Sequence, residues 1–167
     1  MTISELYRSK EYCTGCAACY SVCPVDAISM VQDEEGFLYP VIKEDKCINC
    51  NRCIDVCQIY KKPRDEHVVS SVLLAVKNSN LETRMKSSSG GVFSLFAENI
   101  LSNGGYVFGV IINDECKVVH SVANTTENYL KMRGSKYVQS EMGNIYKQCK
   151  KNLKKINWFF FPAHRVK

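Results

Sequence analysis

Eight cysteines between residues 13 and 57 dominate the chemistry open to this chain: Cys13, Cys16, Cys19 and Cys23 recur as Cys47, Cys50, Cys53 and Cys57, each displaced by 34 positions. The repeated unit is C-x2-C-x2-C-x3-C. Thiolate is a soft ligand that suits zinc or iron–sulfur centres. Three thiolates two residues apart on one tight loop can reach three irons of a single cubane, and the next cysteine points away from it. Structural zinc usually takes two well-separated C-x2-4-C knuckles, so three cysteines on one loop fit it poorly. Disulfides fit less well, because neighbours on such loops have no obvious partners and thiols in a chain without an export signal are expected to stay reduced.

The repeat resembles the run that binds 4Fe-4S clusters in bacterial two-cluster ferredoxins. That resemblance implies an exchange of fourth ligands: Cys13, Cys16, Cys19 and Cys57 for one cluster, and Cys47, Cys50, Cys53 and Cys23 for the other. Small or flexible residues in the loops (Gly15, Ala17, Ala18, Asn49 and Asn51) let the backbone close and aim amides at sulfur,. Pro24 completes the first motif, whereas Gln58 stands at the matching position of the second, so its exit is less rigidly fixed,.

Elements must hold these loops. Residues 27–32, a turn at Asp33-Glu34-Glu35-Gly36, and residues 37–42 read as a hairpin,. Ile28, Met30, Phe37, Tyr39, Val41, Ile48 and Ile54 are expected to form a dry shell over the metal sites, or simply the core of a small domain.

Over all 167 residues the chain is 46% apolar and 23% charged, which fits one or two compact domains and excludes a disordered or collagen-like polymer,. Residues 1–62 carry 7 Lys/Arg against 9 Asp/Glu and residues 63–167 carry 15 against 8, so charge changes sign where the cysteines thin out. We expect domains at 1–62 and 68–167 joined by a linker at 63–67. The polar start has no apolar export segment, and the longest apolar run, 104–112, is far short of the roughly 20 residues needed to cross a bilayer,. A cytoplasmic location is expected, with no membrane partner.

In the second part, residues 68–76 read as a β-branched strand and 81–86 as a short helix. Residues 91–101, apolar on most faces, read as a buried helix capped by serine and ended by Asn103-Gly104-Gly105. Residues 106–112 and 117–122 read as a strand pair. Met142, Ile145, Tyr146, Cys149, Leu153 and Ile156 recur with helical spacing, with Ser140 as the expected cap,. Ser87 to Gly91 puts hydroxyls and glycines at a helix start, which suits an anion or is only a cap. The loop 132–139 carries Arg133 and Lys136 around Gly134, and reads as a phosphate or flavin contact or as a solvated basic loop.

Ser-Ser-Gly-Gly-Val-Phe at 88–93, Gly-Gly-Tyr-Val-Phe-Gly-Val at 104–110 and Arg-Gly-Ser-Lys-Tyr-Val-Gln-Ser at 133–140, following the cysteine repeats, resemble the beta-subunit family of coenzyme F-420 (deazaflavin) hydrogenases and dehydrogenases. The resemblance spans roughly residues 8–156. It implies an iron–sulfur flavoprotein in which FAD converts single electrons into hydride transfer with a deazaflavin or another two-electron partner. It places Ser89, Gly90, Gly91, Gly134, Ser135, Lys136 and Tyr137 near the flavin. After Ile156 the chain departs from that family: Asn157-Trp158-Phe159-Phe160-Phe161 replaces a strand and a Gly-Thr-Pro-Cys-Gln-like turn, and reads as a truncated or frame-shifted end whose exposed aromatics would favour aggregation or pairing with another chain,.

The expected fold class is α+β: a two-cluster ferredoxin-type domain followed by a partial α/β flavin-associated domain. The expected cofactors are two 4Fe-4S clusters and FAD. The expected role is single-electron transfer to or from a redox partner protein, larger oxidoreductase subunits, or a flavin or deazaflavin. The alternatives are a complete FAD-dependent reductase and a basic nucleic-acid-binding module with structural clusters. The second part's excess of cations is modest and spread out, which disfavours nucleic acid as a partner. No acid–base catalyst is visible: His67, His120 and His164 lie in no motif.

Overall fold

A computed structural model describes residues 10–60 and 72–153 and the backbone of 159–160. These residues form two compact units that part between residues 60 and 72. The expected linker at 63–67 lies outside the described residues.

The first unit is built from short pieces. Helix α1 (Ala18–Val22) follows the first cysteine loop, strands β1 (Ile28–Gln32) and β2 (Leu38–Ile42) form an antiparallel hairpin, and α2 (Arg52–Asp55) follows the second loop. The hairpin register pairs Ile28 with Ile42 and Gln32 with Leu38. Asp33 closes its turn: the Asp33 carboxylate accepts the amides of Glu35 at 3.1 Å and Phe37 at 3.0 Å, the local bonding that makes aspartate a turn residue,. Burial works against that carboxylate's ionisation, but the Phe37 amide and Lys10 outweigh it and hold Asp33 below the usual carboxylate range. The apolar core is small, with Cys19 and Ile28 packed by Tyr20, Ile42, Ile54 and further cysteines.

The second unit has a conventional core. Strands β3 (Tyr106–Ile112) and β4 (Val118–Ala123) are antiparallel, and β5 (Phe159–Phe160) pairs parallel to β3, giving the order β4-β3-β5. Helix α3 (Leu81–Met85) is capped by Asn80, whose side chain accepts the Thr83 amide at 2.9 Å,. Helices α4 (Val92–Ser102) and α5 (Thr126–Leu130) pack on β3 and β4. They bury Ala97, Ile100, Val107, Ala123, Tyr129 and Met132 in one cluster. Helix α6 (Ile145–Leu153) lies by β4.

Several expectations change. Residues 72–76 form no strand and are exposed, Leu73 at 95%, because no sheet edge receives them; residues 68–71 lie outside the described residues. Helix α4 is half-buried rather than buried all round, with Leu95 and Phe96 facing solvent. Its N-cap is Gly91 at φ 75°, a left-handed position that glycine adopts without penalty, and no serine caps it,. Its C-terminus ends as expected, the Gly104 amide donating to Leu101 and Gly105 to Ile100,. Ser140 caps nothing: its hydroxyl is 2.9 Å from His120 Nδ1, and α6 begins five residues later. Cys149 and Tyr146 are half-buried on α6, Ile145 is buried, Leu153 is exposed, and Ile156 lies outside the described residues. The backbone of Phe159 and Phe160, expected to lie in an irregular tail, pairs in parallel with β3. Among the described residues no helix is long and apolar enough to cross a membrane.

Candidate functional site

Both cysteine loops use the same unusual backbone. Gly15 (φ 63°) and Ala17 (φ 55°) are left-handed in the first, and Asn49 (φ 51°) and Asn51 (φ 60°) are left-handed at the matching positions of the second. Glycine and asparagine visit this region readily, whereas alanine does so at a cost of about 1–2 kcal/mol, so Ala17 is held there by its surroundings. The double reversal curls each loop and turns amides towards sulfur. The backbone amides of Gly15, Tyr20 and Ile54 favour the thiolates of Cys13, Cys19 and Cys53 respectively. The Ala27 amide donates to Cys23 Sγ at 3.2 Å.

Each loop bounds a cavity, and each cavity draws one cysteine from the opposite repeat. Cys13, Cys16 and Cys19 line the first together with Cys57, over a wall that includes Met30 and Pro40. Cys47, Cys50 and Cys53 line the second together with Cys23, over Ala27, Ile28, Ile42 and Ile54. Of the expected dry shell, Met30 faces the first cavity and Ile28, Ile48 and Ile54 the second. Phe37, Tyr39 and Val41 line neither, and Phe37 and Val41 are exposed. Pro40 and Ile42 were missed because strand alternation assigned the wrong face of β2 to the sites.

Burial pushes the Cys19 thiol up to about 12, against the help of the Tyr20 amide and with repulsion from Cys16, Cys13 and Cys53. Burial raises Cys13 and Cys53 as well. Thiolates gathered this closely need a cationic centre to share, which is the condition iron supplies. Among the described residues no three His, Cys, Asp or Glu side chains converge as ligands of a single ion. Four cysteines lining one cavity, with apolar side chains and backbone amides beside them, fit a multi-iron cluster,.

The second unit holds a separate cavity of about 340 Å³, lined by Ser89, Gly90, Gly91, Gly134 and Ser135 among others. Its two motif loops touch, the Ser135 amide donating to Ser88 Oγ at 2.8 Å. Buried Asn78 clamps the glycine turn, accepting the Asn80 amide at 2.9 Å and donating Nδ2 to Gly91 O at 3.3 Å. Sequence reading overlooked Asn78; the Asn-Ser-Asn run before α3 was its signal. A Cβ at Gly109 would lie 2.7 Å from Met132 Sδ, so the glycine lets Met132 close over β3.

Lys136 and Tyr137 do not line this cavity. The Lys136 ammonium donates to the carbonyls of Lys131 at 3.2 Å, Arg133 at 2.9 Å and Gly134 at 3.1 Å, using all three of its protons within its own loop,. Desolvation lowers its pKa. Tyr137 is 93% exposed. Arg133 Nη2 donates to Thr83 O at 2.9 Å and ties the same loop to α3.

Residues 12–59 match the 4Fe-4S dicluster domain model. An uncharacterized ferredoxin of Methanocaldococcus jannaschii is 38% identical over 53 residues, which cover 32% of this chain and 68% of that protein. An uncharacterized polyferredoxin-like protein of the same organism is 34% identical over 59 residues, covering 30% of this chain and 35% of its own length. Both likenesses are with ferredoxins, and the chain spans about a third of the longer relative. Matched spacing, paired four-thiol cavities and this similarity converge on one conclusion: through its eight cysteines between residues 13 and 57 the chain holds two 4Fe-4S clusters, and it belongs to the dicluster ferredoxin family.

Proposed function

We propose that the chain carries single electrons between a redox partner protein, or larger oxidoreductase subunits, and a flavin or deazaflavin, in a reducing, cytoplasmic compartment. Cys13, Cys16, Cys19 and Cys57 hold one cluster in this reading, and Cys47, Cys50, Cys53 and Cys23 the other. The observation that carries it is the composition of the two cavities, three cysteines from one loop and the fourth from the other repeat in each. The clusters supply reversible one-electron chemistry. The residues around them limit water and orient amides, which set the potential. Replacing Cys57 by Ser tests the exchange of ligands: iron should fall from about eight to about four per chain, with the loss confined to the centre bound by Cys13, Cys16 and Cys19. Loss confined to the centre bound by Cys47, Cys50 and Cys53 would refute it.

The second unit is, in this reading, the N-terminal part of a deazaflavin hydrogenase or dehydrogenase beta-subunit-like domain. Two loops of the resembling motifs border one cavity, and its size is within the roughly 300–1,000 Å³ of small-molecule sites,. Ser89, Gly90, Gly91, Gly134 and Ser135 would meet FAD directly, and Lys136 would shape the loop that meets it. Anaerobic titration with FAD checks this: binding near one equivalent that Lys136→Ala weakens, with iron unchanged, is expected. No binding by the intact chain would remove the flavin from the reading and leave a dicluster electron carrier.

A further inference from the structure

The two ligand loops share their left-handed turns and differ in cover. Gly15, Cys16 and Ala18 are half-buried, and Ala17 and Cys19 are buried at 5% and 9% exposure. At the corresponding places Asn49, Cys50, Asn51 and Arg52 are all exposed, and Cys53 is half-buried. Beside them Ile48, which lines the second cavity, is 59% exposed. Composition follows exposure, since Asn49, Asn51 and Arg52 replace Gly15, Ala17 and Ala18 with side chains that tolerate water,.

Resting on the reading that both loops hold clusters, we propose that the Cys47–Cys53 loop is the electron port of this unit and the Cys13–Cys19 loop the inner site. Electron tunnelling falls off exponentially with distance, so the iron reached across the exposed face of Ile48, Cys50, Asn51 and Arg52 exchanges first. One electron leaves iron there and a one-electron acceptor gains it, or the reverse on reduction. Water access at the same face also favours the more negative, reduced state, so the port centre takes up an electron at the higher potential of the two.

The test uses the full chain with both clusters assembled, reduced, and mixed anaerobically with cobalt(III)–EDTA, an anionic one-electron acceptor. Glutamate is placed at the same offset in each repeat, as Ile48→Glu and Thr14→Glu; both positions are exposed and each lines its own cavity. With iron content unchanged, Ile48→Glu should slow the reaction several-fold, speed it with cationic hexaamminecobalt(III), and lose both effects in high salt. Thr14→Glu, with iron content likewise unchanged, should shift the rates in the same directions but by less than Ile48→Glu does. An equal or larger response to Thr14→Glu overturns the assignment. A second measurement needs no variant: as a ferrous chelator strips the unaltered chain, Cys23, Cys47, Cys50 and Cys53 should become alkylated by iodoacetamide first. Prior or simultaneous labelling of Cys13, Cys16, Cys19 and Cys57 also overturns it. A chain that binds no iron and sulfide at all would instead remove the cluster reading on which the port rests.

Discussion

The two units solve the stability problem by different means. In the second, Tyr129, Phe108, Ile145 and Val107 are fully buried, and the cluster that includes Ala97 and Ile100 joins α4 and α5 to the sheet. In the first, the cluster of buried apolar residues is Cys19 and Ile28, and half of what packs against it is cysteine. Secondary structure among its described residues comes in segments of five residues or fewer. A unit this small cannot offset its chain entropy with apolar burial alone, and small domains of this kind need a metal or another staple. The difference teaches that the ligands of the first unit are also its core, whereas the cavity of the second is carved into a core that stands without it.

The largest expected effect separates the units directly. Removing iron with a chelator should unfold the first unit and leave the second folded, read by amide hydrogen exchange: protection lost across 10–60 and kept in β3 and α4. Equal loss in both would show that the units fold as one.

Next in size is a change confined to the second core. Gly109→Ala drives a methyl group against Met132 and should cost about 1–3 kcal/mol in denaturant unfolding of that unit, with iron content unaltered,. Iron loss in this variant would contradict the independence of the two cores.

A pH effect follows from Tyr129. Burial, reinforced by the hydroxyl's donation to Glu98, pushes its pKa up to about 12 from 10.0. The folded state therefore keeps a proton that the unfolded chain has lost, and this contribution is fully present below pH 10.0 and disappears as pH rises to about 12,. Thermal melts of the second unit should fall through that window, and Tyr129→Phe should flatten the fall at some loss of stability at neutral pH.

The smallest effects compare the two loops. Asn51→Ala puts a poor left-handed residue at an exposed turn and should weaken iron retention by about 1 kcal/mol. Ala17→Gly relieves the equivalent strain but removes a buried methyl, so a gain smaller than that loss is expected,. Both are read from chelator concentration at half iron loss.

The cysteine chemistry was legible because ligand spacing on a tight loop is a local property: C-x2-C-x2-C already fixes three thiols of each site. The hairpin and the β3–β4 pair were legible for the same reason, alternation flanked by strong turns. Features set by distant partners were not. Residues 72–76 have strand composition, but a strand needs an edge to pair with. Serine at 87–89 suits a cap, but the backbone gave that place to Gly91 because only a left-handed residue makes the entry into α4. Lys136 reads as a cation free for a phosphate until three carbonyls of its own loop surround it. Phe159 and Phe160 have strand composition, but the edge that receives them, β3, lies about fifty residues earlier in the chain,.

The most direct test of the central claim is anaerobic purification of the chain with iron, sulfide and zinc measured on one sample, followed by a reductive titration. We expect about eight irons, about eight sulfides and about two electrons taken up per chain, one for each cluster. Zinc without sulfide, and no reducible centre, would contradict it.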